Sequence, residues 1–120
     1  MKLIDDFFEL LYSHENETGF TSRIELNSGH LVYTGHFPGY PVTPGVIQLQ
    51  IVHELLEQHF RRKLKLKTIP QCKFLKILNP HEISQLVIFV QLNKNDGVIN
   101  VKATGESAFD VIFKLKSTYQ

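Results

Sequence analysis

Apolar and polar positions change their period twice along the chain. Over residues 2–12, Leu3, Ile4, Phe7, Phe8, Leu10 and Leu11 recur at roughly helical spacing among Asp5, Asp6 and Glu9. That pattern predicts an amphipathic N-terminal helix, with its lead-in reaching about residue 18. Residues 20–27 and 30–35 read as short strands joined across Asn27-Ser28-Gly29, a turn composition. Thr43-Pro44 then marks a helix start, with a hydroxyl at the N-cap and a proline at the first helical position. The helix spans 43–60. Val46, Ile47, Leu49, Ile51, Val52, Leu55, Leu56 and Phe60 cover most of its circumference, and a helix so apolar belongs inside a protein, wrapped by other elements.

Beyond it the period falls to two. QCKFLKIL (71–78) leads into the turn Asn79-Pro80-His81-Glu82, and LVIFVQL (86–92), VINVKAT (98–104) and FDVIFKL (109–115) follow in series. Asp96-Gly97 and Gly105-Glu106-Ser107 separate the last three with hairpin chemistry. A helix followed by a meander gives the α+β class, an antiparallel sheet with one buried helix. There is no internal repeat, low-complexity tract or linker, so residues 1–120 read as a single domain.

Composition narrows this further. The 120 residues suffice for one core, and 42% hydrophobic with 21% charged residues fits a globular chain. No run of eighteen apolar residues occurs, so no membrane span is expected. The acidic residues near the start do not fit a signal peptide. Cys72 is the single cysteine; this excludes an internal disulfide and points to a reducing, cytoplasmic setting. A net charge of +1 gives no global field toward nucleic acid. One local run, RRKLKLK at 61–67, gathers five of the thirteen basic residues, but it lacks the interleaved aromatics of a nucleic-acid module.

The candidate chemistry lies just before the central helix. GHFPGYPVTPGV (35–46) resembles the active-site signature of the (3R)-hydroxyacyl-acyl-carrier-protein dehydratases, G-H-F-P-x-x-P-x-x-P-G-V followed by a catalytic Glu or Asp. Gly35, His36, Phe37, Pro38, Pro41, Pro44, Gly45 and Val46 match it. HLVYTGHFPG and KFLKILNPHEISQLVIF also look like family segments, and the resemblance spans roughly residues 20 to 117. It implies the hot-dog fold, a sheet curled around the central helix, and an activity on acyl thioesters in fatty acid or polyene lipid synthesis. Val46-Ile47-Gln48-Leu49 is similar to the P-G-V-x-Q-L run of hot-dog relatives in aryl-polyene or flexirubin-type pigment pathways.

The resemblance implies a role for each residue. Dehydration of a 3-hydroxyacyl thioester needs a base at the α-carbon, and His36 matches that residue. Negative charge develops on the thioester oxygen, where the Gly45 N–H at the helix start would hold it. The Thr43 hydroxyl competes for the same N–H groups. Phe37, Pro44, Val46 and Glu54 would line the acyl group. The substrate arrives on acyl-carrier protein or coenzyme A, and its phosphopantetheine arm is the only prosthetic group implied. Arg61, Arg62, Lys63 and Lys65 would steer an acidic carrier protein to the mouth of the acyl tunnel; equally, they suit a helix C-terminus by its dipole.

The family acid falls at Gln50. An amide is close to a carboxyl in shape but has no proton to give at neutral pH, and losing a general acid forfeits on the order of 10²–10⁴ in rate; Gln50 is expected to be the second side chain of the site, positioning the hydroxyl or a water. Gln50, His53, Glu54 and Glu57 form one polar stripe; the expected role of Glu54 and Glu57 is solvation or pairing with the basic run, with Glu54 as the only substitute acid. In the family the site lies between two subunits, so a homodimer is expected, while a heterodimer with a related subunit would lend the missing acid. Two other readings stand: a thioester hydrolase using Gln50 and Glu54 to orient water, and a non-catalytic acyl-binding or partner subunit. No metal is implied, since His53 and His59 point to different sides of the helix.

Overall fold

A computed structural model describes residues 2–34, 39 and 41–120. The sheet grows from the meander. Asp96 and Gly97 both take positive φ (52° and 78°), the conformation of a two-residue hairpin loop whose twist suits its flanking strands. It joins β4 (Gln85–Asn95) to β5 (Val98–Glu106), and β6 (Val111–Tyr119) continues the antiparallel series. Alternation puts Leu86, Ile88 and Val90 of β4, and Ile99, Val101 and Ala103 of β5, on the buried face.

β1 (Phe8–Glu15) and β2 (Gly19–Leu26) add on one side and β3 (Leu66–Phe74) on the other. All pairings are antiparallel, in the order β1-β2-β4-β5-β6-β3. The inner face packs on α1 (Gly45–Phe60) through Ile47, Ile51, Val52, Leu55 and Leu56. This is the hot-dog arrangement, α+β, with six strands around one helix. The wrapping is one-sided: Val46 is 66% exposed, and Leu49, Gln50, His53 and Glu57 are half-buried.

Two local expectations are overturned. Residues 8–15 form a strand in place of an N-terminal helix. Leu3 and Phe7 satisfy their helical spacing in one turn, closed by Phe7 N–H to Leu3 O at 2.7 Å. Asp5 there takes φ 67°, a left-handed conformation that Asp tolerates and a helix does not. Phe8 then enters β1, opposite Leu26. Residues 31–34 likewise form a 3₁₀ turn, not a strand; Tyr33 N–H bonds to His30 O at 3.1 Å, and Tyr33 turns into the core.

Candidate active site

The helix start is built from the loop before it. Thr43 is buried; its N–H bonds to Leu78 O at 2.9 Å and its hydroxyl pairs with the Tyr33 hydroxyl at 2.7 Å. Burial pushes the Tyr33 phenol above the usual tyrosine range, and the Thr43 bond opposes that only in part. With its hydroxyl engaged, Thr43 does not cap the helix. Pro44 is the N-cap residue, without a side-chain cap bond, and Gly45 takes the first helical position. The expected start is therefore displaced by one residue. The Pro44 carbonyl accepts from Ile47 N–H (3.0 Å) and Gln48 N–H (3.2 Å), so the Gly45 and Val46 N–H groups precede the first intrahelical bonds.

An added Cβ at position 45 would lie 2.5 Å from the Phe74 ring, so the ring would have to move for any larger residue. That ring roofs a groove of about 320 Å³, lined by Val42, Thr43, Pro44, Gly45, Gln48 and Ile77 among others. Beneath it Gln48 is buried, and its Nε2 donates to Thr43 O at 3.0 Å. Its Oε1 has no hydrogen-bond partner among the described residues. His36 and Phe37, the expected base and acyl-lining residue, lie outside the described residues.

The polar stripe on α1 divides into two pairs. Gln50 Nε2 donates to Glu54 Oε2 at 2.9 Å, and His53 Nε2 lies 3.2 Å from Glu57 Oε2. Neither glutamate does what the sequence suggested. Glu54 is 8% exposed; both its oxygens accept from Leu3 N–H (2.8 and 2.7 Å), and Oε1 also accepts from Ile4 N–H at 2.8 Å. Glu57 Oε2 accepts from Leu64 N–H at 2.8 Å. Both carboxylates anchor backbone of the chain itself. Glu54 is thus a fastening for the N-terminal segment. One signal was available: residues 47, 51 and 54 share the buried arc of a helix.

The basic run sits at the C-terminus of α1, one of its two expected places. α1 has 16 residues and so spans about 24 Å, which puts Arg61, its left-handed C-cap, a helix length from Gly45. Arg61, Arg62 and Lys63 line a separate groove of about 490 Å³ with Lys2, Ile4, Glu54, Glu57 and Gln58. Lys65 is exposed, and its backbone pairs both ways with Gln120. Cys72 is half-buried, and burial pushes its thiol up, away from reactivity. Among the described residues no group of three His, Cys, Asp or Glu is placed to hold a metal, and no helix is long and apolar enough to cross a membrane.

Comparison with known proteins adds the family. The model of the ApeI-like family, described as ApeI dehydratase, matches residues 12–110. The chain belongs to the ApeI-like dehydratase family. Two solved structures share the ApeI-like fold. One is the dehydratase heterocomplex ApeI:P from Xenorhabdus doucetiae, 16% identical, covering 92% of this chain and 96% of that one with a TM-score of 0.74. The other is an uncharacterized protein from Erwinia carotovora subsp. atroseptica, 20% identical, covering 92% and 94% with a TM-score of 0.67. No curated protein matches.

Proposed function

We propose that this chain is one subunit of a dehydratase for 3-hydroxyacyl thioesters carried on acyl-carrier protein, and that the general acid is supplied by a second, related subunit. One observation carries the reading. The two side chains nearest the family's acid position are engaged with each other: Gln50 donates to Glu54, and Glu54 accepts backbone N–H groups of Leu3 and Ile4. Neither is placed to hand a proton to a leaving hydroxyl.

The rest of the site suits its half of the reaction. His36 takes the α-proton, and the electron pair moves toward the thioester carbonyl. The Gly45 and Val46 N–H groups receive the resulting oxygen charge. The pair then returns to form the α,β double bond, and the hydroxyl leaves with a proton from the partner's acid, as water. The buried Tyr33–Thr43 pair holds the segment that leads into Gly45. Arg61, Arg62 and Lys63 with Lys2 would receive the acidic carrier protein at the far groove. A hydrolase reading loses its water-orienting pair, because Glu54 is committed to the backbone. The ApeI:P relative is itself described as a heterocomplex, which supports the two-subunit form.

The test is mass spectrometry of a 3-hydroxyacyl-carrier protein incubated with the native chain, His36→Ala and Gln50→Glu. The expected result is no loss of water with the native chain alone and His36-dependent loss with Gln50→Glu. Full dehydration by the native chain alone would overturn the reading, and release of free acid would replace it with hydrolysis.

A further inference from the structure

The outer face of the sheet carries charge that the fold does not use. Alternation points Ala103 and Leu115 inward, so Lys102 of β5 and Lys114 and Lys116 of β6 stand on the solvent side. The register sets them in facing pairs: Lys73 of β3 is directly opposite Lys114, and Lys102 is directly opposite Lys116. Opposed residues have Cβ atoms about 4.5–5.5 Å apart, and the two pairs lie about 7 Å from each other along β6. All four side chains are exposed. Among the described residues none of them is in an ion pair; the one lysine that is, Lys76, reaches Asp110 at 2.7 Å. Glu106, the acid next in register on this face, accepts instead from the Thr104 hydroxyl at 3.0 Å. Like charges directly opposite one another destabilise a sheet. Any polar residue would satisfy these solvent positions, so four cations together ask for another reason.

Beside them the sheet is hollowed. A groove of about 460 Å³ crosses β4, β5 and β6, and its lining includes Lys102, Lys116, Gln91, Asn93, Asn100 and Thr118. The register makes these one block: Gln91, Lys102 and Lys116 form one row, and Asn93, Asn100 and Thr118 form the next. Among the described residues no Asp or Glu lines the groove. Ammonium groups only donate, and each carboxamide offers two N–H donors. Asn100 spends one of its two on Asn93 O at 3.3 Å, which leaves the other. Two ammonium groups facing each other across one strand pair match the charge of a phosphate dianion, where a single carboxylate would leave one of them uncompensated. The groove is larger than a phosphate group, so the anion carries a body, and the body that suits carboxamides is a hydroxylated one. No aromatic residue lines it to stack a base.

We infer that the outer face of β4, β5 and β6 is a binding site for a small, hydroxylated phosphate monoester, with the phosphate between Lys102 and Lys116 and the hydroxylated body against the carboxamides of Gln91, Asn93 and Asn100. Lys73 and Lys114 strengthen the attractive field one row away. The site lies across the sheet from α1, which packs on the inner face, so it is separate from the groove at Gly45 and does not depend on the dehydratase reading. A bound dianion offsets the repulsion between the facing ammonium groups, and a ligand that binds only the folded chain stabilises it.

The probes are inorganic phosphate and glycerol 3-phosphate, titrated into the native chain at about pH 7.5, where a phosphate monoester is mostly dianionic. Ionic strength is held near 0.1 M with chloride, so that screening stays constant. Calorimetry and amide chemical shifts read the binding. Saturable shifts are expected at Asn100, Lys102 and Lys116, with glycerol 3-phosphate at least about threefold tighter than inorganic phosphate through its added hydroxyls. Lys102→Gln with Lys116→Gln should weaken binding at least about tenfold. Lys94→Gln, which removes a charge from the opposite face beside Phe60, should leave it unchanged. Without ligand, Lys116→Gln should melt at a higher temperature than the native chain, because one facing pair is relieved. Glycerol 3-phosphate should raise the melting temperature of the native chain and not that of the double variant. The shift map is made on the native chain, so it decides the matter even if the double variant is unfolded by circular dichroism. Equal shifts with chloride and phosphate, shifts confined to Arg61, Arg62 and Lys63, or unchanged affinity in a folded double variant would each overturn the inference. Sedimentation with vesicles of phosphatidic acid and phosphatidylcholine, without binding of glycerol 3-phosphate, would overturn it in favour of a lipid surface.

Discussion

Gln50 hands its amide N–H to Glu54 one helical turn away, at 2.9 Å, and Glu54 holds the backbone of Leu3 and Ile4. Position 50 is thereby tied to the start of the chain. The amide nitrogen faces Glu54, so one bond of the Gln50 side chain is made to a residue that itself answers to the N-terminal segment.

Gln50→Glu brings a second carboxyl within hydrogen-bond distance of Glu54. Two carboxyls at that separation do not both ionise readily, so the introduced carboxyl should titrate above the usual glutamate range and keep a proton near neutrality. Dehydration should rise by about 10²-fold or more over the native chain. The sign for stability follows: a folded-state pKa raised above the unfolded one gives stability that is present at low pH and lost as pH rises through the raised value. Thermal melts between pH 5 and 8 should therefore fall with pH for the variant more than for the native chain.

Glu54→Ala removes the acceptor for Leu3 and Ile4. The buried Leu3 N–H left without a partner costs about 1–3 kcal/mol and the part-buried Ile4 N–H less, read as a lower urea midpoint. Hydrogen exchange at Leu3 and Ile4 should accelerate, while the β4–β5 hairpin stays protected. Unchanged exchange at those two amides would mean that the anchor is unimportant.

Gly45→Ala forces a methyl group to within 2.5 Å of the Phe74 ring. A loss of about 1–3 kcal/mol is expected from overpacking. Adding Phe74→Ala should recover most of the part caused by the clash, giving a favourable coupling in a double-mutant cycle. Additive losses would place the strain elsewhere.

Burial raises the phenols of Tyr33 and Tyr119. Both are neutral when protonated, so the folded chain holds these protons after the unfolded chain has released them. Their contribution is complete below about pH 10, the ordinary tyrosine value, and declines as pH rises from there through the raised folded-state values. Urea unfolding from pH 8 to 11 should show this loss, and Tyr33→Phe should make the decline shallower.

Much of the fold was legible because its signals are local. The β4–β5–β6 meander follows from period-two alternation and from Asp96-Gly97, and the central helix from its apolar run. The errors arose where a distant partner decided the outcome. Thr43 reads as a helix cap until Tyr33, ten residues back, takes its hydroxyl. Leu3 and Phe7 have helical spacing, but one turn is all they use before Phe8 pairs with Leu26. In the site, the sequence placed Gln50 and Glu54 one turn apart on the helix, and they do meet. The direction of the Gln50 amide was not readable, because that depends on backbone 50 and 51 residues from Glu54. The basic run leading into β3 was visible as RRKLKLK, but the facing pairs Lys73–Lys114 and Lys102–Lys116 exist only once the strands are in register.

Phe74 closes β3 and also lies on Gly45. One side chain thus belongs both to the open edge of the sheet and to the mouth of the helix. A strand laid along that edge to its end touches the same ring that sets the height of the groove above the Gly45 N–H. The height of that groove is then tied to whatever lies along the edge, so a substitution at the end of β3 is expected to register at the start of the helix without altering Gly45 itself.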